Sequence, residues 1–116
     1  MATTIFHNPR CSKSRRALEL LLEAGEHPEV VEYLRTPPDR ATLEALVAGL
    51  ESPFASLVRR DARFVELGLS DADCSTVQSV VATLLTHPEL MERPLVVRDG
   101  RVVIARPPEL ALRLAK

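Results

Sequence analysis

The chain has 116 residues, the length of one domain, and 46% of them are apolar. This composition predicts a globular protein with a real core and excludes a disordered chain. A net charge of −1 and a pI of about 6.3 argue against nonspecific nucleic-acid binding, which requires a basic surface. The sequence shows no signal peptide and no long apolar segment, so we expect no membrane association and a cytoplasmic location.

The first third of the chain predicts a β-α-β unit. A short strand at residues 3–6 leads into a loop, and Ser12 or Ser14 is placed to cap the next helix. That helix has an i, i+3, i+4 apolar stripe, runs to about Ala24 and is followed by a second strand at residues 29–33. Strands connected in this way are parallel, with a right-handed crossover.

A block of helices and then a β-hairpin follow. The Asp99-Gly100 pair between two apolar runs is a strong hairpin signal. We therefore predict one domain, 1–116, with an α/β, thioredoxin-like fold: a four-stranded mixed sheet built from β-α-β and β-β-α halves around a helical insertion at about 39–87. In such folds a cis-proline faces the active cysteine, and Arg93-Pro94 holds that place. The predicted helices lie at about 39–50, 52–60, 64–67, 75–86 (opened by a Ser75–Gln78 capping box) and after Pro107, with strands at 95–97 and 101–104.

The segment at residues 7–16 concentrates the chemistry of the chain. It places Cys11 in a strand-to-helix turn among basic side chains, and no acidic residue precedes Glu19. Free N–H groups and the partial positive charge at a helix N-terminus lower a thiol pKa and suit an oxyanion. We therefore interpret Cys11 as a thiolate nucleophile beside an oxyanion site. The alternative is a buried cysteine that behaves as a small hydrophobe.

Two spacings restrict the thiol chemistry. A cysteine phosphatase loop needs an arginine six positions after the cysteine, and Ala17 stands there. A dithiol oxidoreductase needs Cys-x-x-Cys, and Ser14 stands at the second cysteine position. The Ser14 hydroxyl can instead hydrogen-bond the thiolate and stabilise it. Cys11 therefore requires a resolving thiol from another molecule.

Three arginines lie next to predicted elements at the same end of the fold. Arg59 ends a predicted helix, Arg93 precedes the third strand and Arg106 follows the fourth. Arginine is well suited to clamping a tetrahedral oxyanion, although most arginines are surface charges. Cys74 follows two aspartates, which disfavour a thiolate, so its role stays open. The histidines and cysteines show no metal-ligand spacing, and no metal site is predicted.

With these residues assembled, the sequence resembles the glutaredoxin-dependent arsenate reductase (ArsC) family. Residues 7–15, His-Asn-Pro-Arg-Cys-Ser-Lys-Ser-Arg, look like the family motif His-Asn-Pro-x-Cys-x-x-Ser-Arg. The resemblance covers essentially the whole chain and is closest to the shorter members, which lack a long C-terminal extension. Further matches follow in the same order at residues 33–38, 57–59, 67–69, 92–97 and 106–109.

The resemblance implies an activity in arsenic detoxification and a role for each site residue. Cys11 would attack arsenate, and His7 and Ser14 would support its thiolate. Glutathione would be the co-substrate, glutaredoxin a transient partner, and no cofactor would be bound. The oxyanion would be held by Arg59, Arg93 and Arg106.

Two other functions remain open from the residues. One is a thiol oxidoreductase or glutathione-linked protein of the same fold that does not reduce arsenate. The other is a redox regulator of the Spx type that binds RNA polymerase, although that type usually carries Cys-x-x-Cys, and Ser14 counts against it. No residue separates arsenate from phosphate, since both are tetrahedral dianions near neutral pH.

Overall fold

A computed structural model describes residues 2–114 and shows a four-stranded mixed sheet in the order β2-β1-β3-β4. The β1–β2 pair is parallel, and the β1–β3 and β3–β4 pairs are antiparallel. This confirms the predicted thioredoxin-like class and the parallel pairing of the first two strands. The strands are β1 (Thr4–His7), β2 (Glu29–Glu32), β3 (Leu95–Arg98) and β4 (Arg101–Ile104).

The helices pack on both faces of this sheet. Alternate side chains of a strand point to opposite faces. Ile5 therefore packs beneath helix α1 (Ser12–Glu23) and the C-terminal segment, and Phe6 packs beneath helices α2 (Arg40–Gly49) and α4 (Val77–Thr86). Among residues 2–114, no helix is long and apolar enough to cross a membrane. The α-helices are α1 (Ser12–Glu23), α2 (Arg40–Gly49), α3 (Ala62–Glu66) and α4 (Val77–Thr86), and 3₁₀ turns occupy Phe54–Leu57, Asp71–Cys74, Pro88–Leu90 and Pro108–Arg113.

Two predicted helices form as 3₁₀ helices, and the first of them ends earlier than predicted. The predicted helix at 52–60 is a 3₁₀ turn, because the chain becomes extended at Val58 and pairs with Met91 in an isolated antiparallel bridge. The predicted C-terminal helix is also a 3₁₀ segment, Pro108–Arg113. Its six residues fall short of the roughly 12 that an α-helix needs to be stable by itself, and packing against α1 holds it in place.

Two predicted caps are wrong as well. Cys11, not Ser12 or Ser14, is the N-cap of α1, with extended backbone (φ −95°, ψ 121°) and no side-chain cap bond. The capping box of α4 lies one residue later than predicted, between Thr76 and Ser79. Thr76 adopts the extended N-cap conformation, because the 3₁₀ turn before it ends with Ser75 still in the helical region.

The hairpin turn fits its sequence. Asp99 and Gly100 have φ values of 55° and 75°, the left-handed conformations that a two-residue type I′ turn requires at both positions. The predicted hairpin is thereby confirmed. The Arg93-Pro94 peptide bond is cis, as the fold suggested, and Arg106-Pro107 is cis too.

Gly49, the last residue of α2, lies directly against the hairpin. We expect Gly49→Ala to destabilise the protein. A Cβ at Gly49 would overlap the carbonyl oxygen of Gly100 and lie 3.1 Å from Cγ2 of Val102. The cost should be about 3 kcal/mol, as for overpacking in a core. Urea unfolding measures it. Helix propensity alone predicts the opposite sign, about 1 kcal/mol of stabilisation, so an increase in stability would contradict the close approach.

Candidate functional site

The topology brings the predicted site residues to one edge of the sheet. Leu95 pairs with Phe6 on one side and with Ile104 on the other. The loop after β1, the entry to β3 and the exit from β4 therefore meet. Arg93 and Arg106, each two residues beyond this pairing, lie at the same edge as Cys11.

The Cys11 thiol is positioned as the N-cap of α1, where the first backbone N–H groups of the helix are free. Its pKa is lowered. Burial opposes ionisation, but the backbone N–H of Ser14, the Arg93 guanidinium and the backbone N–H of Lys13 together outweigh it. The thiol is therefore predisposed to be a thiolate, and Arg93 is the charged side chain that favours it most.

The Ser14 hydroxyl is engaged differently from the prediction. It lies 2.7 Å from Nδ1 of His7 and accepts a hydrogen bond from the backbone N–H of Asn8 at 3.0 Å. Burial, the largest influence, lowers the pKa of His7, and the Arg15 charge adds to this while Glu32 opposes it. Neutral His7 and Ser14 thus fix the loop around Cys11, and the Ser14 backbone N–H, not its hydroxyl, stabilises the thiolate.

The three arginines predicted to bind an oxyanion, Arg59, Arg93 and Arg106, are called the arginine clamp below. Arg59 is placed by the Val58–Met91 bridge, because its backbone N–H donates to the carbonyl oxygen of Leu90 at 2.7 Å. Nη1 of Arg106 donates to the carbonyl oxygen of Arg93 at 3.1 Å. The structure thus brings together all three predicted arginines.

A carboxylate lies inside the clamp. Oε1 of Glu92 is 3.7 Å from Nη1 of Arg59 and 3.7 Å from Nη1 of Arg106. Arg59 is also 3.5 Å, through Nε, from Oδ2 of Asp61. In the sequence, Glu92 stands out only as part of a family motif, because only the tertiary pairing shows which arginines it contacts.

Tyr33 lies near these residues, although its sequence position does not single it out as a site residue. Its side chain is fully buried, and burial raises its pKa, while the charges of Arg93, Cys11 and Arg59 also act on it. The sequence predicts it as the last residue of the strand at 29–33, whereas β2 ends at Glu32. The available signal was its position directly after β2, which runs parallel to β1 and therefore ends at the same edge as Cys11.

Three buried polar atoms of these residues make no hydrogen bond within residues 2–114: the hydroxyl of Tyr33 and Nε of both Arg59 and Arg93, although Nε of Arg59 keeps its 3.5 Å ion-pair contact with Asp61. Buried polar groups in native proteins are normally paired. All three of these atoms can donate hydrogen bonds, and two belong to cations. The arrangement can therefore bind an anion next to a nucleophilic sulfur.

The other singled-out residues lie outside this cluster. Cys74 is 2% exposed within the apolar core beneath α2 and α4, so it is not available at the surface as a thiol. Arg16 pairs with Glu19 along α1, as predicted, and Arg15 donates to the carbonyl oxygen of Pro9 at 2.9 Å. Residues 2–114 hold no group of three or more His, Cys, Asp and Glu side chains suited to a metal.

The fold and the site define a class: a thioredoxin-like domain that holds a cysteine at a helix N-terminus beside arginine side chains. Residues 6–114 match the model of the ArsC family, and the chain belongs to that family.

Known relatives cover nearly the whole chain. It is 45% identical to the uncharacterized protein YfgD of Escherichia coli K12, over 95% of this chain and 93% of YfgD. It is 43% identical to an arsenate reductase of Neisseria meningitidis, over 90% of this chain and 91% of that one. A solved arsenate reductase structure from Vibrio cholerae superposes with a TM-score of 0.84 at 36% identity, covering 98% of both chains.

The lowered pKa of Cys11 leads to a prediction about pH. The rate of Cys11 alkylation by iodoacetamide should titrate with a midpoint below the free-cysteine value of about 8.5. Because the folded state then binds fewer protons than the unfolded chain, the free energy of unfolding of the wild type, relative to Cys11→Ser, should rise with pH up to about 8.5. The extra stability of the wild type over Cys11→Ser should be lost as the pH falls through the pKa of Cys11 in the folded state. A midpoint at or above 8.5 would contradict an activated thiol.

A second prediction concerns the Tyr33 hydroxyl, which lies near the Arg93 guanidinium but makes no hydrogen bond of good geometry within residues 2–114. Phosphate bound beside Cys11 should protect the thiol from alkylation by iodoacetamide. Tyr33→Phe should weaken this protection about tenfold, because a donor to the anion is lost. The free energy of unfolding should stay equal or rise slightly. Alkylation kinetics and urea unfolding measure the two effects. A loss of about 1 kcal/mol or more in stability, with anion binding unchanged, would mean that the hydroxyl is structural.

Proposed function

We propose that this protein is an arsenate reductase in which Cys11 attacks arsenate, glutathione supplies the second thiol and glutaredoxin restores the enzyme. The carrying observation is a thiol of lowered pKa beside Arg93, at the sheet edge where the Tyr33 hydroxyl and Nε of Arg93 are buried donors without a hydrogen bond. Similarity to relatives named arsenate reductase supports arsenate as the oxyanion. Such a thiol stays reduced in the cytoplasm, where we place the protein.

The first step is attack of the Cys11 thiolate on As(V). A sulfur–arsenic bond forms, and one arsenate oxygen leaves as water after taking up protons. The clamp stabilises the negative charge on the remaining oxygens, which is the usual role of preorganised donors in such a transition state. The three clamp arginines would bind and neutralise the oxyanion, while His7 and Ser14 hold the loop that presents the sulfur.

The second and third steps use outside thiols. The glutathione sulfur bonds to the Cys11 sulfur, and the electron pair of the broken sulfur–arsenic bond stays on arsenic. As(V) becomes As(III), and the two thiols are oxidised to a mixed disulfide. A glutaredoxin thiolate then attacks the glutathione sulfur, and Cys11 leaves as thiolate. The burial of Cys74 supports an external thiol, because it denies Cys11 an accessible second cysteine.

The test is arsenate-dependent NADPH oxidation in an assay that couples the protein to glutathione, glutaredoxin and glutathione reductase. We expect arsenate-dependent NADPH oxidation that requires glutathione, glutaredoxin and glutathione reductase. Cys74→Ala is the matched cysteine control and should keep the wild-type rate, since Cys74 lies in the core. An arsenate-dependent rate no greater than that of Cys11→Ser would refute arsenate reduction. A rate that persists without glutathione would refute the external-thiol steps.

A further inference from the structure

The position of Glu92 in the arginine clamp needs an explanation. A carboxylate repels the anion that the clamp is proposed to bind, yet Glu92 contacts both Arg59 and Arg106 through the same oxygen, Oε1. Its side chain is 22% exposed, so solvent screens this charge only in part.

The backbone holds Glu92 at this place. Its N–H donates to the carbonyl oxygen of Leu57 at 2.7 Å, and the N–H of Arg59 donates to the carbonyl oxygen of Leu90 at 2.7 Å. These bonds flank the Val58–Met91 bridge and set Glu92 beside Arg59. The next residue, Arg93, is the arginine that acts on the Cys11 thiol. Glu92 is therefore an acceptor among donors: it contacts Arg59 and Arg106 and precedes Arg93 in the chain.

We propose that Glu92 is a specificity-determining residue that accepts a hydrogen bond from a hydroxyl of the bound oxyanion. An ionised carboxylate can only accept hydrogen bonds. Arsenate and phosphate carry an O–H group near neutral pH, whereas sulfate is fully ionised and carries none. Glu92 thus makes the site selective for protonated tetrahedral oxyanions. The inference rests on the proposed function for the identity of that anion class.

A purely structural role for Glu92 predicts a different outcome. If the carboxylate only neutralises Arg59 and Arg106 while the site is empty, its removal should strengthen binding of every anion by the same factor. If it accepts a hydrogen bond from the ligand, its removal should help sulfate far more than phosphate, because phosphate loses a partner as repulsion is relieved. The ratio of the two affinities separates these roles.

The experiment measures protection of Cys11 from iodoacetamide by phosphate and by sulfate, at constant ionic strength and pH 7.5, with alkylation of the Cys11 peptide followed by mass spectrometry. Wild type should bind phosphate at least about tenfold more tightly than sulfate. Glu92→Gln should reduce this preference to about twofold or less, mainly through tighter sulfate binding. Glu92→Asp, which keeps a carboxylate, should retain a preference for phosphate.

Glu51→Gln is the matched control. Glu51 is similarly exposed (24%) and also contacts two arginines, Arg101 at 2.6 Å and Arg113 at 3.4 Å, but it lies beside the hairpin turn at the opposite edge of the sheet. It should keep the wild-type ratio. Thermal unfolding verifies that each variant is folded.

An equal phosphate-to-sulfate ratio in wild type and Glu92→Gln would overturn the proposal, whether both anions bind more tightly or neither does. Wild type with no preference for phosphate would overturn it without any variant. Neither anion is reduced by thiols, so the outcome does not depend on arsenate turnover. A protein that reduces arsenate but shows no preference would lose only the role of Glu92.

Discussion

Cys11→Ser is expected to abolish arsenate-dependent NADPH oxidation, with a loss of at least about 10³-fold. Removal of a covalent nucleophile costs rates of this order or more. A serine hydroxyl at the N-cap of α1 would receive the same backbone N–H groups, but it would remain protonated. It could not form the mixed disulfide to which two thiols are oxidised when they reduce As(V). The coupled assay with glutathione and glutaredoxin measures the loss.

Two controls make that loss specific. Thermal unfolding of Cys11→Ser at pH 6 should match that of wild type, because the thiol is only partly buried and adds little packing. Cys74→Ala should retain activity, although it removes a fully buried sulfur. Activity within tenfold of wild type in Cys11→Ser would eliminate the covalent mechanism.

Arg93→Ala is expected to have the second largest effect, because Arg93 acts on both the thiolate and the proposed oxyanion. Its guanidinium lowers the pKa of Cys11 by hydrogen bonding and by charge, and its Nε has no partner within the described part of the chain. Loss of a charged hydrogen-bond partner costs about 1.5–3 kcal/mol, so phosphate protection should weaken by about 10- to 150-fold. The midpoint of the alkylation titration should move to higher pH.

Arg93→Lys and Arg101→Ala refine this test. Lysine keeps the positive charge but lacks the planar fork of donors, so we expect a smaller rise in the Cys11 midpoint and a substantial loss of anion binding. Arg101 pairs with Glu51 beside the hairpin turn, and its removal should change neither quantity. If Arg93→Ala lowered stability without changing either readout, Arg93 would be structural.

Local patterns in the sequence were sufficient for much of the fold. The period of apolar residues predicted α1, α2 and α4, and Asp99-Gly100 predicted the hairpin, since these signals depend on neighbours within a few residues. The segment at 52–60 was predicted incorrectly, because its conformation depends on pairing with Met91, more than 30 residues later. A local pattern contains no information about such a partner.

The residues of the site also fall into those that local sequence patterns identified and those that only the fold brought together. The sequence by itself identified the candidate nucleophile, since a cysteine at a strand-to-helix turn meets free N–H groups wherever the helix lies. It also excluded a local second thiol at Ser14. The three arginines were found as candidates because each lies beside a predicted element, although their meeting at one edge of the sheet depended on the strand order.

Only the tertiary structure decided what surrounds the thiol. Tyr33 belongs to the site because β2 runs parallel to β1, and Glu92 enters the clamp because the Val58–Met91 bridge sets it beside Arg59. The Ser14 hydroxyl is hydrogen-bonded to the imidazole of His7, since buried polar groups are normally paired. Burial and long-range pairing arise from the whole chain, so the partners of a buried polar group become visible only after it has folded.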